Sequence, residues 1–189
     1  MTDRELIDFL DIAEKMKCNT RHSWTSTNRK ESVAEHSWRL SLIALLLEKE
    51  IKDVDFQKVI KMCIVHDLGE AITGDIPSFL KTKEDSKTEQ KAIITLMEKL
   101  PEPQKTDMLT LFEEMEKRES IESKIYKALD RLEAVIQHNE APIASWLPLE
   151  YELQQSYGWE EAQTHERLSQ LRQTVKQDTI DKIKKESKQ

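Results

Sequence analysis

Apolar residues recur along this chain at intervals of three and four, the spacing that gathers them on one face of an α-helix. Leu6, Phe9, Leu10, Ala13 and Met16 predict a first helix that Thr2 or Asp3 can cap. From Ser32 to about Glu50, His36, Leu40, Ile43 and Leu47 trace one stripe, which predicts a second helix with His36 on its buried side. A third helix is predicted from about Asp53 to Glu70, where Phe56, Ile60, Cys63, His66 and Glu70 continue one face. That stripe turns polar at its C-terminal end, just before Thr73-Gly74-Asp75-Ile76-Pro77, a terminator because Gly74 accepts positive φ and Pro77 cannot extend a helix.

Two further patterns, around Ala92, Ile93, Leu96 and Leu100 and around Met108, Leu111, Phe112 and Met115, flank Pro101 and Pro103 and read as structural helices. From about Ser120 to His138, Ile125, Leu129, Leu132 and Ile136 form another buried stripe with Asp130 on its flank. After a break at Pro142 to Pro148, a last helix is expected over about 160–185, with the tail KIKKESKQ solvated. Cys18 to Lys30 mixes Asn, Thr, Ser, Arg, His and Trp without a period and reads as an irregular loop, long enough to carry function.

The chain has 189 residues, 38% hydrophobic and 34% charged, with three glycines and five prolines. One domain over 1–189 is expected, and the low glycine count together with abundant Leu, Ile, Lys, Glu and Gln predicts an all-α fold. With 36 acidic against 29 basic residues the formal charge is −7, so there is no global field to hold a phosphate backbone and nucleic-acid binding is not expected. A small phosphorylated substrate remains compatible with that charge if a local cation serves it. Cys18 and Cys63 lack CxxC spacing and are expected to be buried thiols. The N-terminal MTDRELIDFLDIAEKMK has no uninterrupted apolar stretch; neither signal peptide nor membrane span is expected, and the cytoplasm is the expected location.

One helix face made of Cys63, His66, Asp67 and Glu70 would set an imidazole and two carboxylates against the apolar interior. Burying such groups unpaired costs several kcal/mol, and a divalent cation is the simplest agent that satisfies them together. The donor set suits Mn, Co, Fe, Ni, Zn or Mg without selecting among them. Two ligands from one helix are insufficient, and His36 and Asp130, on inward sides of other helices, are the best completions. Singly, each has an ordinary explanation: a hydrogen-bonded core histidine, a helix-end ion pair, a surface pair of Asp130 with Arg131. Four such residues on three inward-facing stripes favour a metal site.

EHSW at 35–38, VHDLGEAITGD at 65–75 and ALDRLE at 128–133 resemble the H…HD…D signature of the HD-domain metal-dependent phosphohydrolases. ESVAEHSWR together with HDxxExxxGDIP is similar to the 5'-deoxynucleotidase branch, with agreement from about residue 3 to 170 and core motifs over about 32–137. The resemblance implies one divalent metal held by His36, His66, Asp67 and Asp130 in a homodimer acting on deoxyribonucleoside 5'-monophosphates. It assigns Glu70 as general base, places Asp75 near the phosphate or leaving oxygen, and gives Arg21 a grip on phosphate and Trp24 a contact with the sugar. Here His22 and Ser23 separate that Arg and Trp, which are adjacent in the bacterial enzymes.

Rival readings are an HD hydrolase of cyclic nucleotides, nucleoside triphosphates or guanosine alarmones, which the short chain disfavours, and a noncatalytic helical protein tied by its metal. Glu70 speaks against the latter, since a structural site needs no extra carboxylate beside an open coordination position. Gly69 and Gly74 have P-loop spacing without the required Lys, and no HExxH, GxSxG or GxGxxG occurs. His138 and His165 are expected to face water, His22 is a possible substrate contact, and Arg29, Lys30 and Lys81 read as solvated charges.

Overall fold

The computed structural model describes residues 1–186. Thr2 caps α1 (Asp3–Ala13) through a capping box with Glu5. The helix predicted to continue to Met16 is split at Glu14, where Lys17 N–H reaches back only to the Glu14 carbonyl, and α2 (Lys15–Cys18) follows. Next come strands β1 (Thr20–Trp24) and β2 (Lys30–Ser32), then α3 (Val33–Leu47), α4 (Phe56–Val65), α5 (Glu70–Thr73), α6 (Lys83–Met97) and α7 (Gln104–Lys117). α8 (Ile121–Glu140), α9 (Glu150–Ser156), α10 (Trp159–Ala162) and α11 (Glu166–Glu186) complete the all-α fold.

Ser32, Asp55 and Ser120 each accept a backbone N–H at the start of α3, α4 and α8, so the three central helices begin on side-chain caps. Their apolar stripes meet in one cluster: Leu40, Ala44 and Leu47 of α3, Phe56, Val59, Met62 and Cys63 of α4, and Ile125, Leu129 and Leu132 of α8, closed by Leu168 and Val175 of α11. Each fully buried Leu contributes roughly 1.5–3 kcal/mol relative to an exposed one. A second cluster joins Met16, Val33, Leu68 and Ala71 to Leu96 and Met97 of α6.

The stretch from Cys18 to Lys30, expected as an irregular loop, leaves α2 at Cys18 and forms a hairpin from Thr20 that closes on β2. Thr20 pairs with Ser32 and Trp24 with Lys30, which leaves β1 two residues longer than β2 between those pairs. Thr25 N–H closes the turn on the Arg29 carbonyl, and Asn28 adopts φ 61°. No hydrophobic period marks such a strand pair, because its stability comes from contacts with other elements.

The third helix stops at Val65 and not at Glu70. Leu68 N–H bonds Val65 O and Glu70 N–H bonds Asp67 O, each three residues back, so the chain tightens into 3₁₀-type turns before α5 begins. The break from Pro142 to Pro148 holds a 3₁₀ turn at Ile143–Ser145; α9 follows it, and α11 begins at Glu166 and runs through Glu186. Lys182 and Glu186 of the tail expected to be solvated pair with one another; its last three residues lie outside the described ones. Cys63 is buried as expected, whereas Cys18 is exposed at the end of α2 beside Glu14. Among the described residues no helix is long and apolar enough to cross a membrane.

Candidate metal centre

The acceptor bound at Nδ1 fixes how each of two histidines is presented. His36, one turn into α3, is fully buried with Nδ1 against Glu133 Oε2 of α8. Donating Nδ1–H to that carboxylate leaves Nε2 as the bare lone pair, the arrangement typical of metal-ligating imidazoles. Nε2 lies 3.1 Å from Asp130 Oδ1 and 4.0 Å from Asp67 Oδ2. His66 repeats the arrangement: Nδ1 sits 2.9 Å from the Cys63 carbonyl, which only accepts, so the proton is on Nδ1. Its Nε2 is buried without a hydrogen-bond partner, 3.0 Å from Asp67 Oδ2 and 3.7 Å from Asp130 Oδ1. The ligating atoms of His36, His66 and Asp67 lie within 4.8 Å of one another.

Two lone pairs therefore face two carboxylates, acceptor against acceptor. A cation between them turns four repulsive approaches into four bonds, so the residues present fit a divalent metal. The surroundings support the same donors. Lys127 Nζ donates to Asp130 Oδ2 at 2.6 Å, and Arg39 Nε donates to the other Glu133 oxygen at 2.6 Å. Burial alone would raise the Asp130 carboxyl, but Lys127 and the His36 hydrogen bond hold it well below its ordinary range. Asp67 is likewise held low against burial by His66, Arg21 and His36. Burial and Arg21 disfavour a charged His36, yet Glu133 and Asp130 outweigh them and push it up to about 10, so the acidic cluster attracts positive charge to this position.

Glu70 opens α5, one turn past His66, and one of its carboxylate oxygens is buried without a partner. Burial, then the charges of Asp67 and Asp75, push it up to about 10. Its backbone carbonyl accepts Asn19 Nδ2–H at 2.5 Å, tying α5 to the chain just before β1. Gly69 keeps this turn close to α6, where an added Cβ would sit 2.9 Å from Ile93 Cγ1. Asp75 follows Gly74, which has φ 74°, and is raised by burial; the backbone N–H of His22 hydrogen-bonds to its carboxylate.

Arg21 and His22 sit where β1 carries its extra residues. In a regular strand neighbouring side chains point to opposite faces; here both line the same cavity of about 930 Å³ as His66, Asp67, Glu70 and Asp130. The bulge re-aims them. Arg21 Nη1 donates to Asp67 Oδ2 at 3.2 Å and lies 4.0 Å from Asp75 Oδ1. Trp24 is not on the cavity wall: its ring lies under Lys30 Nζ at 4.7 Å and its carbonyl accepts Gln137 Nε2–H at 2.6 Å. The structure thus brings His36, His66, Asp67, Asp130, Glu70, Asp75 and Arg21 together and leaves Trp24 behind them.

Several expectations are corrected. His138 does not face water; it is buried against Glu150 of α9. His165 is half-buried ahead of α11, its Nδ1 accepting Arg167 N–H. Lys30 donates to the His22 carbonyl at 2.7 Å, and Lys81 pairs with Glu89 of α6 on the cavity wall, so neither lysine is simply solvated and α6 is more than structural. Arg131 pairs with Glu161 and not with Asp130. Sequence reading missed Glu133, Lys127 and Arg39. Glu133 and Lys127 stand three residues either side of Asp130, the spacing that places side chains on one helix face, and that was the available signal.

The HD domain family matches residues 13–172. The human 5'-deoxynucleotidase HDDC2 is 30% identical over 141 residues, covering 72% of this chain and 68% of the human protein. Its Danio rerio counterpart, also a 5'-deoxynucleotidase HDDC2, is 33% identical, covering 71% and 68%. A predicted metal-dependent phosphohydrolase from Magnetospirillum magnetotacticum MS-1, known from its crystal structure, superposes with a TM-score of 0.80 at 22% identity over 95% of this chain and 93% of that one.

Proposed function

The chain belongs to the HD-domain family, and from that premise we propose that it is a metal-dependent phosphomonoesterase releasing phosphate from (deoxy)ribonucleoside 5'-monophosphates, with water as nucleophile. The observation that carries the reading is the pair of histidines, each with Nδ1 committed to a protein acceptor and Nε2 turned toward Asp67 and Asp130. His36, His66, Asp67 and Asp130 would hold the metal. Bound there, a divalent ion supplies positive charge to phosphate oxygens and acidifies water at neutral pH. The substrate class comes from the relatives named as 5'-deoxynucleotidases.

The remaining steps belong to side chains. Glu70, one turn past His66 with a buried carboxylate oxygen that has no partner, would take the proton of the attacking water in its ionised form, which the positive charge of a bound ion favours against the burial that raises it. Asp75, 4.0 Å from Arg21 on the same cavity wall, would act beside the phosphate or the leaving oxygen. Arg21, already among three acids, exchanges part of that pairing for the incoming phosphate through charge-assisted hydrogen bonds. Trp24 contributes through the hairpin that carries Arg21, toward the sugar end of the substrate. We place the enzyme in the cytoplasm, where its two free thiols stay reduced. We place it there as a homodimer, because Trp38, Leu42, Leu45 and Leu46 form an exposed apolar stripe on α3. Light scattering on the purified protein decides the dimer, at twice the chain mass against once.

The deciding assay is phosphate release from a panel of deoxy- and ribonucleoside 5'-monophosphates, cyclic nucleotides and nucleoside triphosphates with Mn, Co, Mg or Zn. Release confined to monophosphates and abolished by chelator supports the reading. Turnover of cyclic nucleotides or triphosphates in preference, or full activity in chelator, overturns it.

A further inference from the structure

A second convergence of ligating side chains lies on the same cavity wall, away from the first. His22 of β1, His138 of α8 and Glu150 of α9 bring three ligand atoms within 4.8 Å of one another. His138 is eight residues beyond Asp130, which at 1.5 Å per residue places it about 12 Å further along α8. That exceeds the roughly 3.5–4 Å of a shared two-metal centre, so the two groups are separate.

Three features of this cluster are those of a ligand set. His22 Nε2 lies 3.1 Å and His138 Nε2 2.9 Å from the same atom, Glu150 Oε1; ligands bonded at about 2.0–2.2 Å to one ion stand about 3 Å apart. His138 Nδ1 is 2.9 Å from the Ala134 carbonyl, which only accepts, so the ring proton is on Nδ1 and the Nε2 lone pair is aimed at a carboxylate. Glu150 is 1% exposed and its other oxygen accepts Leu147 N–H at 2.7 Å, which fixes Oε1 toward the two rings. Trp146 Nε1–H holds the His138 carbonyl at 3.0 Å and covers the cluster from behind, leaving the cavity as its open side.

We infer that His22, His138 and Glu150 form a second divalent-metal site, separate from the centre of His36, His66, Asp67 and Asp130. Two imidazoles and one carboxylate suit Zn, Co or Ni better than Mg or Ca. An ion there ties β1, α8 and α9 together, and because His22 follows Arg21 in the bulge, it pins the strand that presents Arg21.

The test is metal stoichiometry. Chelator-stripped full-length protein is titrated with Co(II) by calorimetry, and bound metal is counted by elemental analysis after desalting. Wild type is expected to hold one equivalent more than His22→Ala and one more than His138→Ala, with helical circular dichroism unchanged. Should His138→Ala fail to fold, His22→Ala decides alone, since its side chain is 21% exposed on the hairpin. The count is a difference from wild type, so an ion at the first centre contributes equally to both. A His22→Ala protein that binds as many equivalents as wild type overturns the inference.

Discussion

The helical wall of the cavity and its hairpin wall hold their polar groups by different means. On the helical side, His36, His66, Asp67 and Asp130 stand at the edge of a cluster in which Leu40, Met62, Leu129 and Leu132 are fully buried, so close packing sets the backbone that carries them. On the hairpin side, Arg21 and His22 rest on a two-stranded bulge held by individual hydrogen bonds: Gln137 to the Trp24 carbonyl, Lys30 to the His22 carbonyl, His22 to Glu150. A packed wall fixes positions to a fraction of an ångström and suits ligands and proton transfer. A hydrogen-bonded wall is easier to displace and suits a group that must release one partner to take another. Substitutions on the first wall should therefore remove chemistry, and those on the second should change binding.

His66→Ala has the largest expected effect: loss of the bound ion together with about a thousandfold or greater loss of kcat/KM, the equivalent of roughly 4 kcal/mol. Metal content and phosphate release measured on one preparation check it, and full activity without metal would break the contrast at its strongest point. Glu70→Gln is expected to keep the ion while kcat falls about 10²–10⁴-fold, the range for a lost general base.

Glu70→Gln also has a pH signature in the metal-free protein. Glu70 moves from its ordinary 4.5 to about 10 in the fold, so the fold favours the protonated acid. The stability tied to that proton is present below about pH 4.5 and drains away as pH rises toward 10. Gln cannot ionise. Urea unfolding should therefore find metal-free Glu70→Gln equal to wild type near pH 4 and more stable by about 1–3 kcal/mol at pH 8; a constant difference across that range would discard the burial account.

On the hairpin wall, Arg21→Ala is expected to raise KM about 10–100-fold with a smaller change in kcat, since a charged hydrogen bond contributes roughly 1.5–3 kcal/mol. A pure kcat defect would move Arg21 into the company of the helical residues. Trp24→Ala has the smallest expected effect, under about fivefold in KM, or about 1 kcal/mol, because its ring lies off the cavity wall. A loss as large as that of Arg21 would show that the ring reaches the substrate.

What could be read in advance follows the same division. Leu40 and Leu47, like Phe56 and Cys63, stand seven residues apart and Ile125 and Leu129 four apart, all on helical spacing, and each pair is buried in the structure. The polar residues riding on those stripes, His36, His66 and Asp130, could be placed on inward faces by the same count. Glu133 and Lys127 carried that signal too and were overlooked. The hairpin carried none, since Arg21, His22 and Trp24 take their directions from a bulge set by pairing across the turn. Glu150 was equally hidden, on a seven-residue helix too short to show a period.

Local sequence determined the long central helices, the caps at Thr2, Ser32, Asp55 and Ser120, and the inward side of α3, α4 and α8, because helix periodicity and capping act over three or four residues. Tertiary structure alone decided that the chain leaves the helical register after Val65, that a strand bulge turns Arg21 and His22 into one cavity, and that His138 meets Glu150 across a proline-flanked turn. Those outcomes depend on distant elements competing to satisfy the same buried polar groups, and no short window of sequence contains both competitors.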